Sequence, residues 1–256
     1  MVNILTIPFF DNNIPTAISM VLHESSIKLV GQNRCISATG AHGLIEAHKN
    51  PSFKRALHQF WLNLPDGMPT VWVGKLKGAK AMQRCYGPDF FMETMKATST
   101  LNMRHFFCGG KEGIAEMLKV ICEEKFGNRN VVGTFCPPFR EMSNEEMHAL
   151  GQTIINLKAD IVWIGLSTPK QEQFALRLAQ FTQTKFIITV GAAFDFHTDQ
   201  VKQAPKWMQK SGLEWFFRVL MEPKRLFMRY FEIVPQFIWL NIKEFVDFCL
   251  LKRMDQ

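Results

Sequence analysis

The chain has 256 residues, of which 47% are hydrophobic and 21% charged, and its formal net charge is +7. That is enough apolar material for a large core and argues against a disordered polymer. A basic balance fits nucleic acid, an anionic membrane surface or a phosphate-bearing substrate, and does not choose among them.

In chain order, residues 2–10 read as a strand and a helix follows near 16–23. Residues 34–38 form a short strand, and 41–48 and 51–60 read as helices. A short strand at 62–64 runs into Pro65-Asp66-Gly67, after which a helix starts near Met68. Pro88 suits a first helical turn and opens a helix over 89–98. Then come a strand at 104–108, a helix at 112–125 and a strand at 130–135. Ser143-Asn-Glu-Glu146 is a capping box that opens a helix to about 157. A strand at 161–164, a helix at 170–180 and a strand at 185–190 complete the pattern.

Continuous Val/Ile/Phe strands separated by helices of ~10–15 residues predict an α/β, Rossmann-like fold. Its sheet is mostly parallel, with helices on both faces. Ligands of such sheets bind beyond the carboxyl ends of the strands. From Gly212 onward the sequence turns aromatic and basic with no further strand signal. The expected organisation is therefore an α/β domain over 1–211 and a helical, membrane-proximal appendage over 212–256. No stretch approaches the ~20 charge-free apolar residues of a spanning helix, and the N-terminus lacks signal-peptide features. Membrane contact, if any, is expected to be peripheral.

The six cysteines, Cys35, Cys85, Cys108, Cys122, Cys136 and Cys249, show neither C-x-x-C nor metal-site spacing with histidine. Buried, reduced thiols in a cytosolic protein are expected. No metal or cofactor is expected.

Candidate site residues lie at the strand exits. Cys108-Gly109-Gly110-Lys-Glu-Gly113 is a strand–glycine turn–helix that either cradles a phosphate or is simply a tight turn. In Gly165-Leu-Ser-Thr-Pro-Lys170-Gln171-Glu172, Lys170 and Gln171 open a helix. Lysine is disfavoured there by the helix dipole, a penalty a bound anion would offset; a solvated helix start is the alternative. Asp195, in Gly191-Ala-Ala-Phe-Asp-Phe196, either contacts a ligand hydroxyl or caps the next helix. Asp66 sits in a rigid turn, as a general base or as ordinary turn chemistry. Arg84 either pairs a diphosphate bidentately or lies on the surface. Arg218, Arg225 and Arg229 are interleaved with Trp215, Phe216, Phe217, Phe227, Tyr230 and Phe231. That mixture suits an anionic membrane surface or a core-packing helix with a solvated edge. Nucleic acid is disfavoured, because no helix-turn-helix, zinc-finger or RNP-like pattern is present.

Together, and in order, several stretches resemble the WecG/TagA/CpsF bacterial glycosyltransferases. They are Ser37-Ala-Thr-Gly-Ala-His-Gly43, Leu64-Pro-Asp-Gly-Met-Pro69, Arg84-Cys-Tyr-Gly-Pro-Asp89, Phe106-Phe-Cys-Gly-Gly110, Asp160-Ile-Val-Trp-Ile-Gly-Leu166 with Pro169-Lys-Gln-Glu172, Gly191-Ala-Ala-Phe-Asp-Phe196, Ala204-Pro-Lys-Trp-Met-Gln209, and Gly212-Leu-Glu-Trp215 through Glu222-Pro-Lys-Arg225. The resemblance implies inverting, metal-independent transfer of an N-acetylhexosamine-type sugar from a UDP donor. The implied acceptor is a polyprenyl-diphosphate-linked sugar at the inner face of the cell membrane, in cell-surface polysaccharide or teichoic-acid-type synthesis. By resemblance, Asp66 is the general base, Thr39 contacts substrate, and Arg84 and Gln171 meet the donor or its diphosphate. Arg218, Arg225 and Arg229 fall in an appendage that reaches the membrane and completes the site. The Ser37–Gly43 stretch departs from the Asn-Pro-containing version of the teichoic-acid branch, and His42 is the candidate replacement for an acceptor contact. No D-x-D pair occurs among the motifs, in keeping with metal independence.

A nucleotide-dependent oxidoreductase would need G-x-G-x-x-G after the first strand and an acidic residue ~20 further on; neither is found near Phe10. A non-catalytic membrane-bound scaffold is separated from an enzyme by Asp66→Asn. The apolar aromatic tail leaves a homo-oligomer open.

Overall fold

The computed structural model describes residues 1–27 and 33–254; side chains at 225 and 248–254 lie outside the description. The elements in chain order begin with β1 (Val2–Ile4), β2 (Ile7–Phe9), α1 (Ile14–Ser26), β3 (Arg34–Thr39), α2 (Ala41–Lys49), α3 (Pro51–Gln59) and β4 (Leu62–Pro65). They continue with α4 (Met68–Leu76), α5 (Gly87–Ala97), β5 (His105–Gly109), α6 (Ile114–Phe126), β6 (Val131–Phe135), α7 (Asn144–Asn156) and β7 (Ile161–Gly165). Then follow α8 (Lys170–Leu178), β8 (Phe186–Thr189), α9 (Ala193–His197), α10 (Lys206–Lys210), α11 (Glu214–Met221) and α12 (Pro223–Met254).

The main sheet runs β4-β3-β8-β7-β5-β6, and each neighbouring pair in it is parallel. Successive strand residues point to opposite faces. Ile36, Phe107, Trp163 and Ile188 accordingly meet α1, α5, α6 and α9 on one face. Cys35, Phe106, Val162, Ile164 and Ile187 meet α7 and α8 on the other. Burial on both faces explains why these strands read as largely apolar runs. The helix over 144–156 carries the capping box expected for it: Ser143 and Glu146 satisfy each other's backbone N–H.

One expectation is corrected at the N-terminus. Residues 2–10 are not a single strand but an antiparallel hairpin, with Ile4 opposite Ile7. The turn residues Leu5 and Thr6 have φ of 48° and 70°, the handedness a two-residue hairpin turn requires. The hairpin lies outside the main sheet. With α2, α3 and α4 it builds a third apolar cluster containing Ile4, Ile7, Phe9, Leu44, Phe53 and Val71.

Helix α12 packs on that cluster through Ile233 and Phe237, 4% and 6% exposed. Glu244 of α12 accepts from the Leu5 N–H at 3.1 Å and pairs with Lys77 at 2.5 Å; Lys49 of α2 pairs with Glu232. Pro235 lies within the helix. Among the described residues, no helix is long and apolar enough to cross a membrane. Cys35, Cys85, Cys108 and Cys122 are buried and Cys136 partly so; burial pushes the four buried thiols well above their ordinary range. The Cys249 side chain lies outside the described residues.

Candidate active site

The strand exits and the last two helices enclose a cavity of about 1520 Å³. Gly40 and His42 enter it from the β3 exit, Asp66 from β4, Gly110 from β5, Pro137 to Arg140 from β6, Gly165 and Lys170 from β7, and Gly191 and Asp195 from β8. Helices α11 and α12 add Glu214, Arg218, Arg229 and Tyr230. This is the crevice beyond the carboxyl ends of a parallel sheet.

Asp66 is held by the backbone around it. Its N–H donates to the Thr39 carbonyl at 3.1 Å, and its carboxylate accepts from the Gly87 N–H at 2.7 Å. Burial lifts its pKa from 3.8 to about 6; Arg84 and the Gly87 N–H oppose the rise, and the Glu214 charge adds to it. A carboxylate of that basicity can take a proton from a hydroxyl near neutral pH.

Arg84 is not an ordinary surface arginine. Its guanidinium stacks 3.9 Å from the Tyr86 ring centroid, and its Nε donates to the Asp66 carbonyl at 2.6 Å. Its Nη2 is ion-paired with Glu214. Arg218 lies with its guanidinium carbon 5.9 Å from the Phe196 ring centroid, and among the described residues its buried Nε has no hydrogen-bond partner. Arg229 lines the same cavity. Arg225 lies outside the described residues as far as its side chain is concerned. Burial lowers the His42 pKa and Arg229 reinforces this, while Glu46, 3.4 Å away, opposes it. Lys170 is exposed at the rim, 5.3 Å from the ring centroid of the fully exposed Phe139.

Several expected ligand contacts are engaged within the protein. Thr39 is 1% exposed, and its hydroxyl is 2.5 Å from that of Ser37. Gln171 is also 1% exposed. Its amide nitrogen donates to Thr168 and Glu172 at 3.2 and 2.9 Å, and its oxygen accepts from the Gly191 N–H at 3.0 Å. Gln171 therefore ties the β8 exit to α8. The Gly110 N–H donates to the Gly165 carbonyl at 3.0 Å, so it is not available as a phosphate donor. Gly109 has φ 136°, and a Cβ there would stand 2.5 Å from the Gly165 oxygen. The β5 and β7 exits approach so closely that this glycine has a packing reason.

Sequence reasoning missed Tyr86 and Glu214, and read Glu172, with Lys170 and Gln171, as phosphate or sugar recognition at a strand exit. Glu172 is completely buried, and one of its oxygens accepts from Ser37, Thr168 and Gln171 at 3.1, 3.0 and 2.9 Å. Burial raises its pKa. Tyr86 donates to Glu214 at 2.8 Å. For Tyr86 and Glu214 the signal available was position alone: Tyr86 follows Arg84 by two, and Glu214 stands in Gly212-Leu-Glu-Trp215.

The family model for the glycosyl transferase WecG/TagA/CpsF family matches residues 2–248. An N-acetylglucosaminyldiphosphoundecaprenol N-acetyl-beta-D-mannosaminyltransferase of Bacillus subtilis (strain 168) is 24% identical over 219 residues, covering 86% of this chain and 83% of that protein. A protein of the same name from Bacillus spizizenii (strain ATCC 23059 / NRRL B-14472 / W23) is 28% identical over 181 residues, covering 70% of this chain and 68% of that one.

Proposed function

The chain belongs to the WecG/TagA/CpsF family of glycosyltransferases, and from that premise we propose that it inverts the anomeric centre of an N-acetylhexosamine-type sugar, moving it from a UDP donor to a polyprenyl-diphosphate-linked sugar. N-acetylmannosamine and a lipid-linked N-acetylglucosamine are the first donor sugar and acceptor to try, since the relatives' names carry them. The reaction would serve cell-surface polysaccharide or teichoic-acid-type synthesis.

The observation that carries this reading is Asp66, with its pKa raised to about 6 at the wall of a cavity shared with Arg84, Arg218 and Arg229. In the proposed step the Asp66 carboxylate accepts the proton of the acceptor hydroxyl. The oxygen attacks the anomeric carbon from the face opposite the leaving group. The bond between that carbon and the diphosphate oxygen breaks, and UDP leaves with the electron pair. The arginines and Lys170 oppose the growing negative charge, in place of a metal. A positioned base is worth about 10²–10⁴-fold in rate. His42 and Asp195 are proposed to touch the sugars. Thr39, Gln171 and the Gly109–Gly110 turn are proposed to shape the site from beneath.

We assign transfer to residues 1–211 and surface attachment to 212–256, the second part also closing the cavity. Phe216, Leu220 and Met221 of α11 and Phe227, Phe231 and Trp239 of α12 are exposed. These side chains, with the net charge of +7, support peripheral binding to the anionic inner face of the cell membrane.

The test is UDP release from a panel of UDP-sugars, with and without a lipid-diphosphate sugar acceptor, in EDTA. Acceptor-dependent release from one donor is expected. Tight UDP binding with no release from any donor–acceptor pair would leave a binding scaffold instead.

A further inference from the structure

Glu214 is the first residue of α11, and its carboxylate reaches back from the C-terminal helices into the α/β part. One oxygen is ion-paired with Arg84, and the other accepts from the Tyr86 hydroxyl at 2.8 Å. The Arg84 and Glu214 side chains are each 15% exposed. The guanidinium is gripped on its other sides as well. The Tyr86 ring lies beneath it at 3.9 Å, the Asp66 carbonyl accepts from its Nε at 2.6 Å, and Gln209 accepts from its Nη1 at 3.4 Å. The start of α11 is itself fixed. Gly212 has φ 72°, and a Cβ there would stand 2.5 Å from the Trp72 indole, so the chain enters the helix pressed against α4.

We propose that Glu214 is a positioning residue for sugar transfer: it holds the Arg84 guanidinium at the cavity beside Asp66, and it thereby makes the seating of α11 a condition of donor binding. This rests on the reading of Arg84 as a donor-diphosphate residue. A long arginine side chain loses much rotamer freedom when it is fixed, and a buried guanidinium without a counter-charge is costly. Glu214 meets both costs before the donor arrives. The Glu214 carboxylate is also a neighbour of Asp66, which faces Arg84 and Tyr86 from the segment before α5, Arg218 from α11 and Tyr230 from α12.

The test is a double-mutant cycle on the full-length chain. It uses Glu214→Ala, Glu214→Gln, Arg84→Ala and the Glu214→Ala/Arg84→Ala pair, with UDP affinity by calorimetry and kcat/KM as readouts and far-UV circular dichroism as the check of folding. Glu214→Ala is expected to weaken UDP binding and kcat/KM by about tenfold or more, as truncating one member of a buried charge pair does. Glu214→Gln keeps an oxygen for Tyr86 or Arg84 and recovers part of the loss. With Arg84 already replaced, removing Glu214 changes UDP affinity by less than about twofold, because groups that act through one another are non-additive.

Wild-type affinity and turnover in Glu214→Ala overturn the proposal. So does full additivity of the two losses, which would give Glu214 no route through Arg84. Tighter UDP binding in Glu214→Ala overturns it too, since the carboxylate would then compete with the diphosphate. If Glu214→Ala fails to fold, Glu214→Gln takes its place beside Arg84→Ala: weakened UDP binding supports the proposal, and wild-type binding and turnover overturn it. A wild-type chain that neither binds UDP nor transfers sugar fails the functional reading instead.

Discussion

Asp66 carries a sign that can be measured in two ways. Its pKa stands at about 6, above the ordinary 3.8, so folding favours its protonated form relative to the unfolded chain. A group raised on folding contributes stability below its unfolded pKa and loses that contribution as pH climbs through the folded value. Ionised Asp66 therefore costs the fold up to about 3 kcal/mol at pH 8, at 1.36 kcal/mol per unit. The proposed transfer step needs the ionised form. Its rate should fall below pH about 6 on this account, while Asp66→Asn should abolish transfer and raise the melting temperature at pH 8. A pH–rate profile and thermal melts of both proteins check this, and a fully active Asp66→Asn would remove Asp66 as base. Glu172 is the opposite case, a buried carboxyl that nothing in the proposed chemistry uses. Since burial favours its neutral form, Glu172→Gln should leave stability and kcat within about threefold of wild type. Glu172→Ala strips an acceptor from Ser37, Thr168 and Gln171 and should cost about 2–4 kcal/mol in urea unfolding. The polar positions at strand exits were legible in the sequence, because glycine turns and a Pro-Asp-Gly corner mark them. Whether Thr39 and Gln171 face a ligand or partners within the protein was not, since that depends on pairings across β3, α8 and β8.

At the scale of elements, the parallel strands were legible because burial on both faces leaves mostly apolar residues in them. The hairpin was not, because Leu5-Thr6 lacks the Asn-Gly or Asp-Gly that usually announces a two-residue turn. The same limit hid the packing of α12. Its sequence carries aromatic residues along its length, and only the three-dimensional arrangement separates Ile233 and Phe237, which are buried, from Phe231 and Trp239, 69% and 67% exposed. Phe237 joins α12 to the cluster under the hairpin. Phe237→Ala should therefore lower stability by about 3 kcal/mol through the cavity it leaves, read as a lower urea midpoint. An unchanged midpoint would mean that α12 contributes no packing to the α/β part.

For the whole molecule, that double duty decides how membrane attachment must be tested. Deleting everything after Gly212 would remove the exposed aromatics, but also Ile233, Phe237 and Glu214, so lost turnover would say nothing about lipid. The exposed face can be altered alone. Phe227 and Phe231 stack with centroids 6.0 Å apart on the outer side of α12, one turn apart as neighbours on a helix surface should be. Phe231→Gln with Trp239→Gln should cut sedimentation with anionic vesicles by about tenfold or more, since each lost aromatic removes roughly 2 kcal/mol of apolar burial. Folding and UDP affinity should stay as in the wild type. Raising salt from 0.1 to 1 M shortens the screening length from about 10 to 3 Å and should release the wild-type chain in part, through the basic residues that share those helices. Glu214→Ala should do the reverse of the aromatic pair, weakening UDP binding while leaving vesicle binding intact. If the aromatic pair loses UDP affinity in the presence of vesicles as well, lipid binding and donor binding are coupled through the C-terminal helices.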